Sequence, residues 1–245
     1  MDRALAVLDS VVARATPLSV TDIAEACRLP VPTAHRLVMQ LEKRGLLKRA
    51  LDSKKVIVGP ALLRLGLAAL DAALRGDRPH QILLTLSATL GEHVQVGIRA
   101  DNDVLYVDTA HAPESGPGLQ FVQGRRAPLY CTSIGKIFLA EMPDGEFARW
   151  LAQMPLTAMT PRTITKRNKL RTEVAKVRAT GWAVSDEEFA AGVRGCAVPI
   201  RRREGQLIAG LGLSVPSARM ALGQFAQYRS KMEAAARAIA VAILT

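Results

Sequence analysis

The chain has 245 residues, of which 49% are hydrophobic and 22% charged, so it is neither disordered nor fibrous and has room for two modest domains. Lys and Arg number 33 against 22 Asp and Glu, a net charge of +11 that favours a polyanionic partner such as nucleic acid. Cys27, Cys131 and Cys196 lack the spacing of a disulfide framework or a zinc site, which fits a reducing cytoplasm. The apolar run Ala238–Leu244 falls far short of the roughly 20 residues that cross a bilayer, so we expect no membrane insertion.

Two short helices are predicted before residue 28. The first is predicted because its apolar residues recur at helical spacing. It ends near Arg14, before the turn residues Thr16 and Pro17. The second runs from Asp22 to Cys27, capped by Ser19 or Thr21, with Glu25 near enough to complete a capping box. The stripe of the first helix consists of Leu5, Leu8, Val11 and Val12.

A third helix and a hairpin follow. Pro32 suits the first position of the third helix, and Gly45 is its predicted C-cap. Residues 46–58 then read as strand, turn and strand, with the turn at Asp52 and Ser53. Three short helices and a hairpin predict a winged helix-turn-helix, whose third helix enters the major groove of DNA. The buried stripe of that helix is predicted to be Ala34, Leu37, Val38 and Leu41.

The rest of the chain mixes helices and strands, which predicts an α+β domain. Residues 61–74 are rich in Leu and Ala and predict a largely buried connecting helix. A hairpin is predicted over 94–99 and 104–108, with a loop at 111–118 and a strand at 119–123 after it. Further helices are predicted at 81–90, 133–140, 145–152, 168–180 and about 217–243, and a last pair of strands at 197–201 and 207–215.

Several ordered segments resemble the IclR family of bacterial transcriptional regulators. In the first half these are RALAVLDSV, LSVTDIAEACRLPVPTAHRLVMQLEKRGLL and VGPALLRLG; in the second they are APLYCTSIGKIFLA, TPRTIT, LRTEVAKVRATGWAVSDEEFAAGV and CAVPI. The resemblance implies a winged helix-turn-helix at 1–60, a linker helix at 61–77 and a GAF-like effector-binding domain at 78–245. It also implies a homodimer or homotetramer on palindromic double-stranded promoter DNA and a small organic acid as effector, often aromatic. We expect no cofactor.

Two positions depart from the family pattern. Val31 and Pro32 stand at the start of the third helix, where the family more often has a small polar or basic residue, so one phosphate contact is lost. Cys196 comes one position later than the cysteine that some members carry, which puts a ligand role for it in doubt.

The exposed face of the third helix carries the predicted DNA contacts. Arg36 can pair with a guanine edge and Gln40 with adenine, while Thr33 near the helix start is placed to meet a phosphate. The alternative is that this face of the helix is simply solvated. Basic charge alone does not locate the DNA-binding site, because residues 162–178 are as basic as residues 28–55. The predicted DNA contacts are Thr33, His35, Arg36, Gln40, Lys54 and Lys55, the last two at the hairpin tip.

A second set of residues predicts a ligand site. Thr132 and Ser133 precede a helix whose free amides favour a carboxylate, although one of them can simply cap it. The carboxylates of the acidic loop at 185–194 suit a ligand hydroxyl better than a ligand carboxylate. The alternative is that these carboxylates only hold the loop together. Ser214 either faces the same cavity or turns the chain. The predicted ligand residues are Thr132, Ser133, Ile134, Gly135, Asp186, Glu188, Val193, Arg194 and Ser214.

The leading hypothesis is therefore a ligand-responsive transcriptional regulator. One alternative is a constitutive DNA-binding protein without a ligand. Another is an enzyme with Cys131 or Lys136 as nucleophile, but neither has a histidine or other base paired with it in the sequence, so we expect no catalytic residue. We also expect no metal site, since His35, His80, His93 and His111 stand apart.

Overall fold

The computed structural model describes residues 2–14, 16–50, 53–74, 77–112 and 123–244. The chain divides into two compact units, Met1–Leu70 and Asp71–Thr245. Among the described residues, none of the helices combines the length and the apolar character that a bilayer crossing requires. The predicted α+β fold is confirmed.

The first unit contains the three predicted helices and the hairpin. Leu18 exchanges two main-chain hydrogen bonds with Val56, at 3.1 and 2.7 Å, and so ties the hairpin to the start of the second helix. The core gathers Val7, Ile23 and Val38 around the hairpin residue Leu47. The elements are α1 (Asp2–Val12), α2 (Val20–Ala26), α3 (Val31–Lys43), β1 (Leu47–Arg49), β2 (Val56–Val58) and the helix α4 (Pro60–Leu74), which extends beyond this unit.

The ends of α2 and α3 follow from local chemistry. Ser19 caps α2, because its Oγ accepts from the Asp22 amide at 3.1 Å while the Asp22 carboxylate accepts from the Ser19 amide at 2.9 Å. The capping-box partner is thus Asp22, the third helical residue, and the prediction of Glu25 was wrong. Gly45 follows the C-cap of α3 with a φ of 68°, a conformation that glycine adopts without strain.

The second unit is built on one antiparallel sheet of six strands in the order β5-β4-β3-β8-β7-β6. Helices α5 and α9 pack on one face of this sheet, while α6 packs on the other with α8 behind it. The elements are α5 (Asp77–Leu90), β3 (His93–Ala100), β4 (Asp103–Ala110), β5 (Arg126–Pro128), a 3-10 turn (Leu129–Cys131), α6 (Ser133–Glu141), α7 (Asp144–Gln153), α8 (Arg167–Thr180), β6 (Ala183–Asp186), β7 (Val193–Arg201), β8 (Leu207–Pro216), a 3-10 helix (Leu222–Tyr228) and α9 (Arg229–Leu244).

Three glycines bring α6 unusually close to the sheet. A Cβ at Gly97, Gly210 or Gly212 would lie 3.3, 2.7 or 2.9 Å from the nearest side-chain atom of Ile134. Distances this short leave no room for a side chain. The glycines therefore form a bed on which Ile134 of α6 rests, and they set the distance between the helix and strands β3 and β8.

Some predicted elements differ from those in the structure. Helix α4 was predicted to be largely buried, but it exposes Leu63 and Leu65 in this chain. Helix α5 begins four residues earlier than predicted, and strands β5 and β6 were not predicted. The final helix begins only at Arg229, after the 3-10 helix. Residue 52 of the predicted turn, and most of the loop and strand predicted at 111–123, lie outside the described residues.

Candidate functional site

One pocket of the second unit lies between the sheet and the start of α6. Strands β3, β7 and β8 provide one wall, the first residues of α6 a second, and the segment between β6 and β7 a third. The cavity volume is about 30 Å³, room for about two water molecules. The lining residues are Gln95, Tyr106, Cys131, Thr132, Ser133, Ser185, Phe189, Ala190, Val193, Gly195 and Ser214.

The helix wall of the pocket is formed by the cap and the first residue of α6. The Thr132 hydroxyl caps α6 by accepting from the Gly135 amide at 3.1 Å and donating to the Pro128 carbonyl at 3.2 Å. It is therefore already engaged. Ser133 and Ile134 supply the first amides of the helix, where main-chain N–H groups have no helical partner and the helix dipole favours an anion. The Ser133 side chain itself lines the pocket.

The sheet wall carries a polar pair. Gln95 on β3 donates from Nε2 to the Ser214 Oγ on β8 at 2.8 Å, and both side chains are buried. The Gln95 Oε1 atom is buried without a hydrogen-bond partner among the described residues. Gly195 on β7 faces the same space, since a Cβ there would lie 3.4 Å from the Ser133 Oγ and 3.7 Å from the Ser214 Oγ.

The third wall is held in place by a buried ion pair. Lys136 of α6, 1% exposed, donates from Nζ to the Glu188 carboxylate at 2.6 Å and to the Val184 carbonyl at 2.8 Å. Burial raises the pKa of Glu188, and the ammonium group of Lys136 opposes that rise. Because a buried charge is costly without its partner, this pair fixes the segment that carries Phe189 into the pocket.

A second ion pair lies at the end of the same segment. Arg194 donates from Nε to the Asp186 carboxylate at 2.6 Å and from NH1 to the carbonyls of Ser217 and Met220 at 3.0 and 2.9 Å. Arg162 also pairs with Asp186. These charges are thus used within the protein, which favours the interpretation that they hold the loop together.

The predicted ligand residues divide into two groups. Thr132, Ser133, Val193 and Ser214 come together at the pocket. Gly135 lies instead against the 3-10 turn, where a Cβ would be 2.2 Å from the Leu129 carbonyl oxygen. The predicted residues that do not line the pocket are Ile134, Gly135, Asp186, Glu188 and Arg194.

Three residues that line the pocket, Gln95, Tyr106 and Phe189, were not predicted from the sequence. Gln95 had a recognisable signal, because it is a polar residue between Val94 and Val96 in a strand that is buried on both faces. Tyr106 and Phe189 had none, since an aromatic residue in a strand or loop is usually a packing residue.

The cysteine next to the pocket is not activated for nucleophilic attack. Burial, with a smaller contribution from the charge of Glu188, raises the pKa of Cys131 to about 12. A thiol with such a pKa stays protonated at neutral pH. Lys136 is committed to its ion pair, so neither residue of the enzyme alternative is available as a nucleophile.

The candidate nucleic-acid interface lies on α3 of the first unit. His35, Arg36 and Gln40 are exposed on this helix, whereas Thr33 is half-buried. The helix begins at Val31 without a side-chain cap, and Val31 is itself exposed. An apolar side chain at this position can contact a thymine methyl group, a contact that sequence reasoning had not assigned.

The hairpin tip presents two cations beside α3. Lys54 and Lys55 are exposed, whereas Arg49 pairs with Glu42 at 2.6 Å and donates to the Lys54 carbonyl. Arg49 therefore braces the hairpin against α3. The two lysines stay exposed, as a phosphate contact requires.

The basic run at 162–178 has structural uses. Arg167 donates from Nε to the Leu151 carbonyl at the end of α7, and Arg178 does so to the Ala140 carbonyl of α6, both at 2.8 Å. Cations commonly satisfy the last carbonyls of helices in this way. Much of this charge is thus explained without nucleic acid.

The chain matches two family descriptions. The description "IclR helix-turn-helix domain" matches residues 1–50, and "Bacterial transcriptional regulator IclR C-terminal" matches residues 77–241. The probable transcriptional regulator SauR of Cupriavidus necator is 32% identical over 223 residues, which are 91% of this chain and 88% of that protein.

Solved structures agree with these matches. The IclR of Thermotoga maritima is 28% identical, with a TM-score of 0.63 over 99% of this chain and 97% of that one. An IclR homologue from Microbacterium hydrocarbonoxydans, solved in complex with 4-hydroxybenzoate, is 26% identical, with a TM-score of 0.60 over 98% and 97%. The matched families and relatives are transcriptional regulators and not enzymes, which decides against the catalytic alternative. The chain belongs to the IclR family of bacterial DNA-binding transcriptional regulators.

Proposed function

We propose that this regulator acts in the cytoplasm as an oligomer that binds palindromic promoter DNA and responds to a small organic acid. The observation that carries the proposal is the pocket at the start of α6, where Ser133 of the helix and the polar pair of the sheet wall line the same cavity. The wall is completed by apolar side chains such as Phe189 and Val193, the usual balance of a small-molecule site.

An acid fits the charges around this pocket. The amides at the start of α6 favour an anion, and the Arg125 guanidinium lies 4.8 Å from the centre of the Phe189 ring, which lines the pocket. The carboxylates of Glu188 and Asp186, two of the predicted ligand residues, are neutralised by Lys136 and Arg194. The 4-hydroxybenzoate in the Microbacterium structure supports an aromatic acid for this chain too, although a ring needs more space than the present cavity of about 30 Å³.

Specific reading of DNA is assigned to α3. Arg36 offers two parallel donors to guanine, and Gln40 pairs with adenine. Thr33, His35 and the lysines of the hairpin tip position the protein on the phosphates. A single short helix reads few bases, so two copies on two half-sites supply the specificity that a genome requires.

The apolar surface of the first unit supports an oligomer. Helix α4 exposes Leu63 and Leu65, and α1 exposes Leu5 and Val12. Large apolar side chains on a helix that is otherwise rich in Ala and Leu are typical of a surface covered by another molecule. A second copy of the chain is the partner that a palindromic operator requires.

Isothermal titration calorimetry on the full chain tests the ligand. Small aliphatic acids and benzoate derivatives are the probes, each compared with its uncharged amide. We expect acids to bind and the amides to bind at least 10-fold more weakly. Ser133→Ala should weaken acid binding by about 5-fold, since one hydrogen bond to a charged group is lost.

The control is Ser53→Ala, which removes an exposed hydroxyl from the first unit and should leave binding unchanged. A panel in which only neutral or cationic compounds bind would contradict the acid assignment. If no compound binds and operator DNA is bound equally with and without every probe, the constitutive DNA-binding alternative is the correct one.

A further inference from the structure

We propose that Gln95 and Ser214 form a hydroxyl subsite, so that the natural effector is an organic acid that also carries a hydroxyl group. This inference rests on the proposed function, because it assumes that the acid occupies the pocket at the start of α6. It goes further by assigning the second functional group of the effector to a residue on β3.

The amide of Gln95 is only partly satisfied. It is 3% exposed, its Nε2 donates to the Ser214 Oγ at 2.8 Å, and its Oε1 is buried with no hydrogen-bond partner among the described residues. An unpaired acceptor in a protein interior costs free energy that a ligand donor would recover. Since Gln95 lines the pocket, a ligand bound there can reach it and displace the water that would otherwise solvate it.

A hydroxyl is the group that fits both polar atoms of this pair. The Ser214 hydroxyl, which already accepts from Gln95, still has its own proton to donate. A ligand hydroxyl donates to the Gln95 Oε1 and accepts from Ser214. The assignment uses the amide orientation in which Nε2 donates to Ser214 and leaves Oε1 as the unpaired acceptor. A methyl group or a second carboxylate does not offer both roles.

The two ends of the ligand would lie close together. The same point, the position of a Cβ on Gly195, is 3.4 Å from the Ser133 Oγ and 3.7 Å from the Ser214 Oγ. An acid at the start of α6 therefore lies within a few carbon atoms of the subsite. Short hydroxy acids, and aromatic acids with a ring hydroxyl, meet this requirement.

Matched pairs of probes test the subsite directly. Lactate is compared with isobutyrate, and 3-hydroxybenzoate with 3-methylbenzoate, because each pair replaces a hydroxyl by a methyl group of similar size. In the wild-type chain we expect the hydroxy acid of at least one pair to bind on the order of 10-fold more tightly, as measured by calorimetry. Gln95→Met should reduce that ratio to about one, mainly by weakening the hydroxy acid.

Two further variants complete the design. Gln153→Met is the matched control, because Gln153 is an exposed glutamine at the end of α7 that does not line the pocket, and the ratio should persist. Gln95→Glu retains an acceptor, so both probes should weaken while the preference for the hydroxyl remains. This second variant keeps the test valid if circular dichroism shows that Gln95→Met is unfolded.

The outcomes separate this inference from the proposed function. If acids bind but hydroxyl and methyl probes bind equally well, the subsite is overturned and the acid pocket stands. The subsite is also overturned if neither Gln95 variant changes the affinity of any probe, so that the preference for the hydroxyl over the methyl probe stays as large as in the wild type. If no acid binds, both proposals fail.

Discussion

Gly195 is the residue whose side chain would fill the proposed ligand space. A Cβ there would lie between the hydroxyls of Ser133 and Ser214, and 3.1 Å from the Leu213 carbonyl oxygen. We expect Gly195→Ala to weaken acid binding by at least 10-fold and to lower the free energy of unfolding by about 1 kcal/mol, because the added methyl group is slightly crowded. Calorimetry and urea unfolding measure the two effects.

Gly223→Ala is the control for this change, since a Cβ at Gly223 meets no atom within 4 Å. It should leave acid binding unchanged. Wild-type affinity in Gly195→Ala would place the ligand elsewhere.

Arg36 and Lys54 are expected to differ in what they contribute to DNA binding. Arg36→Ala should cost about 1 to 3 kcal/mol on the operator and relax sequence preference, since a base contact is lost. Lys54→Ala should weaken all DNA similarly and reduce the slope of log affinity against log salt by about one, because one phosphate contact releases about one counterion. Gel-shift titrations on operator and scrambled DNA at several salt concentrations distinguish them.

An unchanged ratio of specific to nonspecific affinity in Arg36→Ala would show that Arg36 does not read a base. Thr180→Ala, a change in the second unit at the end of α8, is the control and should affect neither measurement.

The residues of the pocket were only partly predictable. Ser133 and Ser214 could be assigned because a hydroxyl at a helix start and a serine on a strand have recognisable positions. Glu188 was assigned to the ligand because its charge is visible in the sequence. Its partner, Lys136, is 52 positions away and is brought to it only by packing of α6 against the segment after β6.

Helix α4 is the element whose exposure most directly predicts assembly. Leu65 is 60% exposed on it. If a second copy covers this helix, Leu65→Glu should shift the chain from a dimer towards the 26.4 kDa monomer and weaken binding to a palindrome far more than to a half-site. Light scattering coupled to gel filtration, together with gel shifts, measures both.

Leu84→Glu is the matched control, because Leu84 is a leucine of α5 in the second unit with 38% exposure. A wild-type chain that is monomeric at micromolar concentration, and that binds a half-site as tightly as a palindrome, would contradict the oligomer.

Elements with their own apolar periodicity were predictable from the sequence. Helices α3, α6, α7 and α8 each bury a stripe, and their observed ends lie within one or two residues of the prediction. Strand β6 was missed because it has only four residues at the sheet edge and is stabilised by pairing with β7. The prediction that α4 is largely buried was wrong for a different reason. Apolar composition shows that a helix favours burial, but it does not show whether the same chain or another molecule covers it.

For the molecule as a whole, the buried side chain of His93 is expected to make the free energy of unfolding depend on pH. Burial, reinforced by the charge of His111, lowers the pKa of His93 from 6.5 to about 3. A group whose pKa is lower in the folded state stabilises the fold above its unfolded pKa, and this stability is lost as the pH falls. We expect the second unit to lose about 2 kcal/mol of unfolding free energy between pH 7.5 and pH 5.

Tryptophan fluorescence in urea isolates this unit, because Trp150 and Trp182 both belong to it and the chain has two tryptophans. His93→Gln should flatten the dependence on pH. His35→Gln should not, since His35 is an exposed residue of the first unit. Equal dependence in both variants would assign the effect to other groups.

If the proposed acid occupies the pocket, the glycine bed under α6 limits how the pocket can be altered to accept a different effector. Because Ile134 already rests on Gly97, Gly210 and Gly212, the helix and the sheet cannot approach each other further, and a side chain at any of these glycines would force them apart. Space for a bulkier effector is more simply made on the opposite side of the pocket, where Phe189 lies in the segment between β6 and β7 and Val193 begins β7. A biosensor library should therefore randomise that segment and leave the glycines intact.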